Sequence, residues 1–198
     1  MAAGDYLEQE LDFYEDRIEV RGSGVQVMMA WERPLMERMA AIAGARRGDV
    51  LEIGYGMGLS CDAVQALRPR VRSHTIIEAH PQIIERARLW AEGRTNVTIV
   101  EGRWQDVLPE RVFDGVSFDV FGGLGQRVAF FSRLGELLRP GGVATLWLGD
   151  DRELPGPLAS ALEAQGFGWR MTRVSAVPDR RCTYSRSNEF YVPAIIRP

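Results

Sequence analysis

Leu51-Glu52-Ile53-Gly54-Tyr55-Gly56-Met57-Gly58 decides the fold: a buried-strand pattern runs straight into three glycines at alternate positions. Glycine accepts positive φ and has no Cβ, so such a loop at the carboxyl end of a strand lets a ligand approach the backbone. A dinucleotide fingerprint wants its third glycine at 59, where the chain has Leu59, and the spacing therefore argues against NAD. One βαβ unit on, Ile76-Ile77-Glu78 ends the next apolar run in a carboxylate, with Ala79 beside it. That places an acceptor for two ribose hydroxyls at the edge of the same crevice. The competing reading of Glu78 is a solvated turn or a helix cap.

Outward from this loop, short apolar runs alternate with helical patterns, the arrangement that yields a mostly parallel sheet with helices on both faces. The strand candidates are Val50 to Ile53, His74 to Glu78, Val97 to Val100, Gly115 to Val120, Val143 to Leu148, Trp169 to Val177 and Phe190 to Ile196. Pro81 to Glu92 reads as a helix because Ile83, Ile84, Ala87 and Trp90 recur at helical spacing. A second helix is expected from about Arg127 to Leu138, stopping at Pro140-Gly141-Gly142. Only a polar stretch separates the last two strands, so they are expected to pair antiparallel at one edge of the sheet. Upstream of Asp49 the pattern predicts an acidic helical segment, a break at Gly22 and Gly24, and a helix opening near Pro34. Residues 1–48 are thus read as a helical lid and residues 49–198 as the core of a single domain.

With 198 residues, 45% of them hydrophobic, the chain supports one substantial core. The net charge is -3, and its 24 basic residues, all arginine, are interleaved with 27 acids. No field recruits nucleic acid or an anionic membrane, and a small-molecule partner is expected. Cys61 and Cys182 stand far apart without a CxxC, which argues against a disulfide framework and against a metal site. The opening MAAGDYLEQELDFYEDR lacks an apolar run, and no stretch of about 18 apolar residues occurs anywhere, so a cytoplasmic location is expected. A homodimer is left open.

Glu52-x-Gly54-x-Gly56-x-Gly58 resembles the first motif of class I methyltransferases, in which the loop faces the methionine and ribose of S-adenosylmethionine. Glu101-Gly102-Arg103-Trp104-Gln105-Asp106 stands where that class receives the adenine, and Trp104 or Gln105 would flank it. Core packing is the competing reading of Trp104. Leu138-Arg139-Pro140-Gly141-Gly142 matches the turn that precedes the fifth strand in that class. The resemblance implies a Rossmann-like α/β fold with a seven-stranded, mostly parallel sheet.

A closer likeness begins at Met28-Met29-Ala30-Trp31-Glu32-Arg33-Pro34-Leu35-Met36 and runs through the motifs above to Phe113-Asp114-Gly115-Val116-Ser117-Phe118-Asp119 and Cys182-Thr183-Tyr184. These stretches resemble the guanidinoacetate N-methyltransferases and the related arginine N-methyltransferases that modify the internal δ-nitrogen. The resemblance implies that Glu32 and Asp119 hold a guanidinium, and that Met28, Met36, residues 54 to 59, Glu78 and Ala79 line the cofactor. Asp119 and Tyr6 join that lining, Tyr6 falling where the family has a Trp that closes over the site.

The chemistry suits two acids. A guanidinium is a planar fork of donors with a pKa above about 12, which matches carboxylates but is a poor nucleophile. One acid can orient it while the other takes a proton, and Asp119, on a strand next to the donor, is the expected base. Structural readings compete: Glu32 as an acid at a helix start, Asp119 as a strand-end cap, and the methionines as core filler, which is accepted for Met29 and Met39.

Leu148-Gly149-Asp150-Asp151 departs from the family, which has neutral residues there. Gly149 and Asp150 are read as substrate contacts, and the added acids favour a free arginine, met at its α-ammonium, over guanidinoacetate. No ankyrin-like repeat is present, which favours a small guanidino compound over an arginine carried by a protein. A catalytically inactive cofactor-binding module is the remaining alternative.

Overall fold

The strand that enters the glycine loop, β4 (Gly48–Ile53), is buried along its whole length at the centre of a seven-stranded sheet. Its two-residue period sends Leu51 and Ile53 to one face and Val50 to the other, so helices are needed on both. The computed structural model describes residues 6–198, and the first five residues of the expected lid lie outside them.

Seven strands form the sheet: β4, β5 (Val71–Glu78), β6 (Val97–Glu101), β7 (Phe113–Phe118), β8 (Leu138–Leu146), β9 (Gly168–Ser175) and β10 (Glu189–Ile196), in the order β6-β5-β4-β7-β8-β10-β9. The first five in that order run parallel, and β10 pairs antiparallel with β8 and β9, as the missing crossover helix demands. One face is covered by α1 (Arg33–Ala43), α2 (Leu59–Ala66) and α3 (Pro81–Ala91). The other carries α4 (Trp104–Val107), α5 (Leu124–Phe131), α6 (Leu134–Leu137) and α7 (Gly156–Glu163). There Phe113, Phe118, Phe130 and Phe131 are fully buried, each stabilising the fold by roughly 1.5–3 kcal/mol. The fold is the expected Rossmann-like one, and no helix of the described residues is long and apolar enough to cross a membrane.

Where an acidic helix was expected before Gly22 there are two strands, β1 (Leu11–Phe13) and β2 (Arg17–Val20), which β3 (Gln26–Met29) joins after the glycine break to make a three-stranded antiparallel sheet. Arg17-Ile18-Glu19-Val20 alternates strictly, so Ile18 and Val20 join Leu11 against Ile83 and Ala87 of α3 while Arg17 and Glu19 pair on the opposite side. Gly22 and Gly24 take φ of +73° and +67° in the turn that follows. Acidity had suggested a solvated helix; the two-residue period decided the matter. A second difference lies before β8. The helix expected over 127–138 is split into α5 and α6, and Arg139 to Gly142 belong to the strand as a bulge. Phe113 pairs with Leu138 and Gly115 already with Val143, so four residues loop out against one. Arg139 uses that excursion to reach Asp49 and Asp114.

Candidate active site

β4, β5 and β7 deliver their carboxyl ends to one cavity of about 860 Å³. Gly54, at φ +95°, leaves β4 so close to β7 that a Cβ would lie 1.9 Å from the carbonyl oxygen of Asp119. Only glycine fits there. Gly56, at φ +55°, faces the sulfur of Met28, which accepts the Met57 N–H at 3.2 Å. Across the loop, the Glu78 carboxylate accepts three backbone N–H groups: Tyr55 at 2.8 Å, Ala79 at 2.7 Å and His80 at 2.9 Å. Glu78 is thus bound to the turn that precedes α3, not to N–H groups of the helix itself. A carboxylate has about four acceptor positions, so one remains for a ligand in the cavity that Glu78 lines.

The side of the cavity that holds Glu32 and Asp119 is built differently. A single 3-10 turn, Ala30–Glu32, precedes α1 and turns Glu32 inward, where it is 3% exposed. One of its oxygens accepts the Met29 N–H at 2.9 Å and the Tyr184 hydroxyl at 2.5 Å. Burial, and then the negative charge of Asp119, push the Glu32 carboxyl up to about 7 against those two bonds. Asp119 lies one residue beyond β7, its N–H donated to Ile53 O at 2.9 Å. Among the described residues nothing donates to its carboxylate. Burial and the charge of Glu52 raise it to about 7 in spite of Arg127. Two acids of one cavity thus hold their protons near neutrality, and among the described residues neither has an ion-pair partner.

Of the other expected residues, Tyr6, Met36, Glu52, Tyr55, Ala79, Trp104, Gln105 and Gly149 line the cavity. Tyr6 stacks on Phe121 and His80, ring centres 4.5 and 5.0 Å away. Trp104 also packs edge-on against Phe118 and Phe130, as the core-packing reading expects. Met57, Gly58 and Leu59 stand behind the lining: Gly58 opens α2 at φ +75°, and Leu59 packs with Met36 and Met39. Asp150 also lies off the cavity, because Ser185 donates to it at 2.6 Å in a surface turn, so it is not placed to meet an α-ammonium there. Glu52, Cys61 and His74 bring three metal-capable atoms within 4.8 Å of one another. Hydrogen bonding already accounts for two of them, His74 reaching Glu52 at 2.8 Å and Gln65 at 3.3 Å, while burial raises the Cys61 thiol well above its usual range.

Several lining residues were given no role by the sequence reading, and three of them bear on the chemistry. Ser60 is buried at the start of α2 with its hydroxyl unpaired, Arg127 projects from α5, and Tyr184 arrives from the β9–β10 connection. That connection is stapled to β3 by Gln26, which donates to Arg181 O at 2.7 Å and accepts the Thr183 N–H at 2.8 Å. Ser60 and Arg127 carry no local signal, since an exposed helix face shows the same residue types. Tyr184 stood in a quoted motif without a role.

A family model described as guanidinoacetate N-methyltransferase matches residues 4–147. "Protein arginine N-methyltransferase 2" of Saccharomyces cerevisiae is 33% identical over 165 residues, covering 75% of this chain and 39% of that protein. Its Aspergillus oryzae namesake is 41% identical over 120 residues, covering 58% and 27%. The chain therefore spans well under half the length of these curated relatives. Among solved structures, N-methyltransferase NodS from Bradyrhizobium japonicum in complex with S-adenosyl-L-homocysteine superposes with a TM-score of 0.63 at 15% identity, over 85% of this chain and 88% of that one, a likeness of fold.

Proposed function

The chain belongs to the guanidinoacetate N-methyltransferase family, enzymes that use S-adenosylmethionine, and from that premise we propose that it methylates the guanidino group of an arginine held between Glu32 and Asp119. The observation that carries the reading is the pair itself: two buried acids in one cavity, both raised to about 7, neither ion-paired among the described residues. A guanidinium is the complement of such a pair in charge and shape.

The residues around the glycine loop suit S-adenosylmethionine. Glu78 keeps one acceptor position and the Ser60 hydroxyl, buried at the start of α2, is unpaired. When bound, that cofactor supplies an electrophilic methyl carbon on a positively charged sulfur. An arriving guanidinium lowers the pKa of both acids, so they ionise as it binds. Glu32, fixed by Tyr184 and the Met29 N–H, orients the plane of the acceptor. Asp119, tied by its backbone to β4, takes the proton on a carboxylate oxygen as the nitrogen is alkylated.

A protein-borne arginine is supported by the printed names of the relatives, against the free compound that the sequence favoured. The test is to incubate the chain with methyl-labelled S-adenosylmethionine and arginine, guanidinoacetate or arginine-containing peptides, identifying products by mass and fragmentation. Label on a guanidino nitrogen is expected; none on any acceptor overturns the reading.

A further inference from the structure

Arg127 is the half-buried cation of an acidic cavity. Glu32, Glu52, Glu78 and Asp119 line it, while the other arginine of the lining, Arg103, is exposed. Glu78 is bound by backbone N–H groups and Glu52 by His74. Arg127 feels the charges of Asp119 and Asp151, yet among the described residues no hydrogen bond or ion pair reaches its side chain. A guanidinium does not escape desolvation by losing its proton near neutral pH, so one left without a counter-ion in a cavity calls for an anion. The neighbouring residue, Gln126, accepts from Trp104 at 3.3 Å, which fixes the first turn of α5 beside the cavity.

We propose that Arg127 is a specificity-determining residue that binds a carboxylate carried by the acceptor, at the opposite end from the guanidinium. The assignment rests on the guanidino-acceptor reading above. Asp119 and Arg127 share one cavity without pairing, so the site has a negative and a positive pole, and a guanidino acid has the same two poles reversed. A planar fork receiving a carboxylate adds bidentate geometry to charge, and an acceptor without the anion leaves the fork unpaired. The carboxylate has two sources: the α-carboxylate of a free guanidino acid, or an acidic side chain beside an arginine in a polypeptide.

The experiment compares arginine with agmatine, which lacks the carboxylate, and an arginine peptide flanked by Glu with its Gln counterpart. Wild type and Arg127→Met are assayed, with Arg127→Lys to retain charge without the fork. The wild type is expected to favour the carboxylate-bearing member of one pair in kcat/KM by on the order of 10- to 100-fold. Arg127→Met should erase that preference, its loss on arginine or the Glu peptide exceeding by that factor any loss on agmatine or the Gln peptide, and Arg127→Lys should fall between. The pair that shows the preference identifies the source. Equal use of both members by the wild type, or an equal loss on both in Arg127→Met, overturns the assignment. So does weaker calorimetric binding of S-adenosylhomocysteine to Arg127→Met, which would give the arginine to the cofactor's own carboxylate. Transfer to no guanidino compound at all defeats the acceptor reading and this one with it, a result distinct from the others.

Discussion

Glu78 and Asp119 end the two strands that flank β4, and the fold treats them in opposite ways. Three backbone N–H groups satisfy Glu78, whereas the Asp119 carboxylate accepts none and is raised to about 7. Glu32 stands with Asp119, since its two hydrogen bonds do not offset burial. The Glu78 side of the cavity is therefore largely satisfied as folded, and the Glu32–Asp119 side, the proposed acceptor site, is not. A site that must hold a cation only transiently does well to leave its acids short of partners, because the missing interaction is what the acceptor supplies.

The sharpest way to break this contrast is to neutralise the acceptor half. Asp119→Asn should lower kcat/KM by on the order of 100-fold or more, with S-adenosylhomocysteine affinity nearly unchanged by calorimetry. In the ligand-free state at pH 8 the same variant should melt at a higher temperature than the wild type, because an uncompensated charge is gone. Glu32→Gln should follow the same pattern, with a smaller gain in stability because the amide is a poorer partner for the Met29 N–H and Tyr184. A fall in both activity and melting temperature would place Asp119 with Glu78 and end the distinction.

Glu78→Ala should do the reverse. Three N–H groups lose their acceptor, so stability falls by roughly 1–3 kcal/mol in denaturant titrations, and cofactor affinity weakens before acceptor affinity does.

The pH dependence is a gentler probe. Glu32 and Asp119 have ordinary values of 4.5 and 3.8 but titrate near 7 in the fold. Between those limits the native state keeps protons that the unfolded chain has released, so these two groups make stability fall as pH rises from about 4 to about 7, and no further. Thermal melts of wild type against the doubly neutralised Glu32→Gln/Asp119→Asn protein should diverge over that window. Activity should climb through the same range as the acids ionise. The smallest expected effect is that of Tyr184→Phe. Losing a bond to the ionised form of Glu32 should move the acidic limb of the kcat/KM profile upward and cost a few-fold at pH 7.

Much of this was legible in the chain. Gly54 to Gly58, Glu78 and the apolar runs of the sheet announce themselves because strand period and positive φ are local demands, met by residues adjacent in sequence. Glu32 and Asp119 were legible through their family motifs, yet their shared electrostatic state was not, since 87 positions separate them. The β1–β3 sheet was missed where composition was given more weight than a short alternation. The pairing of Asp150 with Ser185, 35 residues away, was not legible either.

The sequence by itself determined the succession of strands and helices from β4 onward, the glycine turn and the kinds of acid near it. Only the tertiary structure decided which acids are satisfied and which are left in want, and which arginine stands opposite them. The reason is physical: backbone conformation follows from neighbours along the chain, but solvation and charge follow from neighbours in space.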